Sequence, residues 1–115
     1  MTGHGAAVSA RAAEGGVWLV RIAGEFDDGH TVEMADALQR GLHAAGRLTV
    51  VDASDVAFAD SSVLDTLLRA RAEYAAAGRE LVIAGPSLAV RRLLDVTGTA
   101  SAFVVADSLQ AAMTY

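Results

Sequence analysis

The amino-acid sequence predicts an α/β fold, a mixed sheet of four to five strands with about four helices in a single domain over residues 1–115. Three observations predict it. Short runs rich in Val, Ile and Leu alternate with stretches whose apolar residues recur at helical spacing, and glycines close most of those stretches. At 115 residues and 53% hydrophobic composition, the chain is long enough for one core and too short for two. A strand–helix–strand alternation requires parallel neighbours joined by crossovers, and an early hairpin adds one antiparallel pair.

In chain order, Ala7 to Ala13 reads as a short edge strand, and Gly15-Gly16 turns it into Val17-Trp18-Leu19-Val20-Arg21-Ile22, rich in β-branched and aromatic residues. Gly24 to Gly29 breaks that pattern. Met34, Leu38, Leu42 and Ala45 then mark a first helix, which Gly46 stops. Leu48 to Asp52 is apolar enough for a buried strand, with Ala53 to Asp60 expected as the connection to a second helix. On that helix Leu64, Leu67, Leu68, Ala72 and Ala75 are expected to face the core, Asp65, Arg69 and Glu73 to lie elsewhere, and Gly78 to end it. Glu80 to Ala84 is a further buried strand. Gly85-Pro86-Ser87 opens a third helix carrying Val90, Leu93 and Leu94 on one face before Gly98, Ala102 to Val105 is a last strand, and Asp107-Ser108-Leu109-Gln110 has the spacing of a capping box opening a terminal helix.

Composition excludes several functions. The formal charge is −5, and all nine basic residues are arginines, dispersed apart from Arg91-Arg92, so neither a nucleic-acid backbone nor an anionic membrane is an expected partner. With no cysteine there is no disulfide, thiolate or Cys-zinc chemistry. Met1 to Ala7 lacks the pattern of a secretory signal, no stretch suffices to span a bilayer, and the cytoplasm is the expected compartment. His4, His30 and His43 lack ligand spacing, and a chain without lysine cannot carry a Walker-type phosphate loop, so no metal and no cofactor is expected.

The segment that invites chemistry is Asp60-Ser61-Ser62, where a strand hands over to a helix whose N-terminus offers unsatisfied N–H groups and partial positive charge. Ser62-Val63-Leu64-Asp65 has capping-box spacing, so Ser62 is expected as the helix cap, leaving Ser61 one residue outside it with a free hydroxyl. The acids of Gly24-Glu25-Phe26-Asp27-Asp28 would either favour the start of the first helix or, if the sheet order brings that loop alongside, join Asp60 in an acidic rim around the hydroxyl for a cationic partner to read. A hydrolase using Ser61 would need His30 or His43 within reach, and Asp60-Ser61-Ser62-Val63 lacks the glycine frame of a nucleophile elbow.

Three segments together resemble the STAS domain family, and within it the small anti-sigma factor antagonists of bacteria. Gly24-Glu25-Phe26-Asp27 is similar to that family's Gly-Glu-Leu-Asp turn, Asp52 to Leu64 to its strand and Asp-Ser-Ser-Gly-Leu segment, and Pro86 to Gly98 to its Pro-x-x-x-Arg-Arg-Leu-Leu-x-x-x-Gly helix, over about residues 18–113. The resemblance implies that Ser61 is phosphorylated by a serine kinase that is also the anti-sigma factor, that unmodified protein binds this kinase and frees the sigma factor, and that no catalysis is involved. It also implies a docking surface of Glu25, Asp27, Asp60, Ser62, Val63, Asp65 and Arg69, with at most weak self-association. Two positions depart from the family pattern: Val63 stands in place of Gly, and His30 in place of Thr, which leaves Asp28 to cap the first helix. The alternative within the family is a constitutive interaction subunit of lipid-transporter or stressosome type, in which the serine goes unmodified.

Overall fold

The structure, a computed structural model, describes residues 5–27, 29–44 and 46–115. Strands β1 (Ala7–Ala13), β2 (Val17–Phe26), β3 (Leu48–Ala59), β4 (Glu80–Ala84) and β5 (Val104–Ala106) form one sheet in the order β1-β2-β3-β4-β5. Only β1 runs antiparallel to its neighbour, and each later pairing is parallel. Helices α1 (Thr31–His43), α2 (Ser61–Ala76), α3 (Leu88–Thr97) and α4 (Leu109–Met113) connect or follow the strands, with a 3-10 turn at Ala100–Ala102.

Alternation along the strands sorts the core into two layers. Val20, Ile22, Phe26, Val51, Ala53, Val56 and Ile83 point to one face and meet Met34 and Leu38 of α1, Leu64 and Leu67 of α2, and Val90 and Leu94 of α3. Val17, Leu19, Leu48, Val50, Val82 and Ala84 point to the other, where the short α4 covers them with Ala112, Leu109 and Met113.

Two strands run past the boundaries expected from the sequence. β3 continues from Asp52 through Ala59, so the stretch expected as a connection is sheet, and β2 continues through Gly24 to Phe26. The cause is polar residues on the side of the sheet that α4 leaves uncovered. Asp52, only 4% exposed, accepts hydrogen bonds from the Ser54 amide (3.1 Å) and hydroxyl (2.7 Å), and Arg21 bridges it (3.6 Å) to Asp55 (2.6 Å). Ala53 and Val56 meanwhile point into the core. Two register shifts against β3 absorb the irregularity, and Gly24 adopts φ +88, where a β carbon would overlap the Gly5 carbonyl.

The face of α2 is also rotated from the expected one. Val63, Leu64, Thr66, Leu67, Ala70 and Tyr74 are buried, whereas Ala72 and Ala75 are exposed and Leu68 is half-buried. Alanines are poor markers of a helix face, and the tyrosine that defines this one was outside the expected set. Tyr74 is held because its hydroxyl donates to the Leu38 carbonyl (2.7 Å) and meets Thr49 Oγ1 (3.1 Å). Its burial pushes the phenol above its ordinary pKa. The last strand is Val104–Ala106, two residues later than expected at its start, because the 3-10 turn occupies Ala100–Ala102. Ala45 and Asp28 lie outside the described residues.

Candidate functional site

Parallel pairing places the ends of β2 and β3 side by side, with Glu25 opposite Phe58 and Phe26 opposite Ala59. The chain leaves β2 at Asp27 and β3 at Asp60 from adjacent strands, so Glu25, Asp27 and Asp60 gather at one end of the sheet, beside the first turn of α2. Asp27 is organised by its own loop: Oδ1 accepts from the Gly29 amide (3.0 Å) and lies 2.9 Å from His30 Nδ1, while the His30 ring tilts against Phe26. The cap position of α1 is His30 itself, without a side-chain capping bond, and Asp28, the expected cap, is outside the described residues.

The cap of α2 is Asp60, two residues earlier than expected. Its backbone is extended (φ −108°, ψ −175°), and Oδ1 accepts both the Ser62 amide (3.0 Å) and the Ser62 hydroxyl (2.5 Å). Ser62 therefore braces the cap instead of being it. Aspartate wins the position because its carboxylate accepts two bonds at once beside the positive end of the helix. These bonds, the Ser62 hydroxyl first, hold the Asp60 carboxyl below its ordinary pKa.

Ser61 is consequently the first residue of the helix instead of lying outside it. It is exposed, and among the described residues its hydroxyl has no hydrogen-bond partner. Ser61, Asp65 and Arg69 follow at four-residue intervals, all exposed, and form one solvent-facing row along α2. Val63 departs from its expected docking role. Its side chain is 1% exposed and packs in the core between the sheet and α2, so it offers almost no surface for docking. Residue type alone could have signalled this, since a β-branched apolar side chain one residue before Leu64 extends the buried face.

Neither His30 nor His43 is hydrogen-bonded to Ser61 among the described residues, and His30 engages Asp27. No group of three potential metal ligands exists among the described residues, and none of the described helices is long and apolar enough to cross a membrane. A groove of about 500 Å3 lies at the opposite end of the sheet, lined by Arg71, Tyr74, Arg79, Leu81 and Phe103 among others, well away from the serines.

One residue of this neighbourhood was missed in the sequence. Phe58 stands in the stretch expected as a loop, and its ring is 50% exposed beside the site. Once that stretch is sheet, alternation back from the inward-facing Ala59 turns Phe58 toward solvent.

A family model described as MlaB, STAS domain, matches residues 9–106. No curated protein matches the chain. Among solved structures, an anti-sigma factor antagonist from Mycobacterium paratuberculosis is similar at 24% identity, with 98% of this chain and 95% of that one covered and a TM-score of 0.80. The phosphorylated form of the Bacillus cell fate determinant SpoIIAA is similar at 16% identity over 94% and 97% of the two chains, with a TM-score of 0.74. A variant of RsbS from Moorella thermoacetica is similar at 23% identity over 93% and 92%, with a TM-score of 0.78.

Proposed function

From the premise that the chain belongs to the STAS domain family, we propose that it is an anti-sigma factor antagonist switched by phosphorylation of Ser61. In this reading the unmodified protein binds an anti-sigma factor that is also a serine kinase, in the cytoplasm, and the sigma factor is released. The observation that carries it is the division of labour between the two serines. Ser62 is tied into the Asp60 cap, whereas Ser61 offers an unengaged hydroxyl on the exposed first turn of a 16-residue helix. The names of the structural neighbours support the same role.

Charge alone suffices to operate such a switch. A phosphate adds about −1.5 to −2 charges at neutral pH, which the positive end of α2 tolerates, so the fold survives. A partner whose surface complements a neutral hydroxyl next to Asp60 and Asp65 then meets a desolvated dianion. A loss of about 3 kcal/mol weakens such a complex by more than about a hundredfold.

The test incubates the protein with each purified kinase of the anti-sigma type and ATP, and follows intact mass. One phosphate is expected on the wild type and on Ser62→Ala, and none on Ser61→Ala. Ser61→Asp is expected to abolish binding while leaving the unfolding midpoint nearly unchanged. Phosphate on Ser62 alone would overturn the assignment. Stable binding to an ATPase subunit, indifferent to Ser61→Asp, would instead establish the constitutive transporter-type module.

A further inference from the structure

We propose that the partner reading Ser61 also anchors an apolar side chain in the depression between the end of β3 and α3, in an orientation fixed by opposite charges at the two ends of its footprint. This rests on the Ser61 reading. The depression, about 320 Å3, is lined by Phe58, Ala59, Ala89, Arg92, Leu93 and Val96. Phe58 and Ala59 lead directly into Asp60 and Ser61, so the depression and the hydroxyl adjoin along the chain. α3 buries Val90 and Leu94 in the core, but it also carries a second row, Leu88–Arg92–Val96, at four-residue intervals. Leu88 is 62% exposed and Val96 86%. Single exposed apolar residues need no explanation, but several gathered beside one candidate site form a patch of the kind proteins use for docking.

Charge selects the occupant. The Ser61 end carries Glu25, Asp27, Asp60 and Asp65, all accessible or partly so. The charged residue of the depression is Arg92, and among the described residues no carboxylate pairs with it. A protein that fits both ends presents cationic groups over the serine, a large aliphatic or aromatic side chain into the depression, and a carboxylate beside Arg92. Reversing the partner would set like charges against each other at both ends, so the footprint admits one orientation. Phosphorylation then acts on only one end, which explains how a change at a single hydroxyl can be decisive without altering the apolar anchor.

The experiment measures affinity of each purified kinase of the anti-sigma type for the wild type, Phe58→Ser, Val96→Asp, Arg92→Glu and Ser61→Asp, together with the KM and kcat for Ser61 phosphorylation. Phe58→Ser and Val96→Asp are expected to weaken binding by roughly tenfold or more, raising KM with kcat unchanged. Arg92→Glu should weaken it too, and a charge reversal on the partner should restore part of the loss. Val96 is so exposed that Val96→Asp keeps the fold whatever Phe58→Ser does, as the circular dichroism spectrum will register. Affinities within about twofold of wild type for Phe58→Ser and Val96→Asp, alongside lost binding for Ser61→Asp, would overturn the anchor and leave the Ser61 reading standing. If no kinase binds, or Ser61→Asp is without effect, the Ser61 reading fails and the anchor with it. If Phe58→Ser instead disperses a dimer of the free protein in sedimentation and leaves kinase affinity alone, the depression is a self-association surface and the proposal is wrong.

Discussion

At the end of the sheet where the parallel strands begin, Arg79 donates to the carbonyls of Leu42 (3.0 Å), Ala44 (2.9 Å) and Gly46 (3.1 Å), and so closes the C-terminus of α1. Arg47 ties the Gly15 carbonyl to those of Met113 and Tyr115, each at 2.8 Å. Trp18 Nε1 donates to the Ala37 carbonyl (3.0 Å), and Tyr74 reaches Leu38 and Thr49. Toward the end where the strands finish, Ser61 and Asp65 of α2 and Arg92 of α3 have exposed side chains without a hydrogen-bond or ion-pair partner among the described residues. The contrast separates two uses of the same residue types. Donors turned inward satisfy backbone carbonyls and maintain the fold, and groups left free at the other end are available to a second protein.

If that separation is right, changes at the inward end will alter stability and leave the Ser61 end competent. The largest effect is expected from Tyr74→Ala, which removes a buried ring and should cost about 3–5 kcal/mol in urea unfolding. Tyr74→Phe isolates the hydroxyl, leaving the Leu38 carbonyl and Thr49 without it, and should cost about 1–2 kcal/mol. The kinetics of Ser61 phosphorylation of folded protein should not change in Tyr74→Phe. A changed KM there would show that the two ends are coupled and would dissolve the distinction.

An effect smaller than that of Tyr74→Ala sharpens the boundary between the two regions within α2. Val63 adjoins the serines in sequence but belongs to the core. Val63→Gly, which installs the family's residue, loses a buried side chain and gains backbone freedom, and should cost about 2–3 kcal/mol by chemical denaturation. Partner affinity of the folded variant should stay within about twofold of wild type. A large change in affinity at unchanged stability would place Val63 in the docking surface after all.

The sequence made β1 and β4 legible to the residue, and the helices nearly so, because apolar spacing and glycine stops are local signals. What it hid depended on partners distant in the chain. Asp55 reads as a loop residue in sequence, and only across the sheet does Arg21, more than thirty residues earlier, pair with it and with Asp52 at the expected strand's end. Tyr74 became a core residue only because Leu38 and Thr49 receive its hydroxyl. Around the candidate site, the sequence located Ser61 and the acids of the neighbouring loop, and parallel pairing of β2 and β3 brought them together. It misjudged which residue caps α2, since Asp60, Ser61 and Ser62 are all good capping types and only the backbone turn decides among them. Nothing local distinguishes Arg79, engaged with four carbonyls, from Arg92, which faces solvent.

The smallest predicted effect concerns Asp60, the acid at the Ser61 end whose carboxylate caps α2. Its folded-state pKa is depressed, chiefly by the Ser62 hydroxyl, so the ionised form is favoured by folding. The stabilisation is present above the unfolded carboxyl's ordinary pKa, about 3.9, and is lost as pH falls through the lower folded value. Asp60→Asn keeps a capping oxygen but removes the titration, and Asp60→Ala removes both, at about 0.5–2 kcal/mol near neutral pH. Thermal unfolding followed from pH 6 downward should therefore show wild type and Asp60→Ala converging as the medium becomes acidic, with Asp60→Asn losing less stability than wild type over the same interval. Parallel curves for wild type and Asp60→Asn would mean that the carboxylate contributes nothing beyond the cap, and that the charge at this end is there only for the partner.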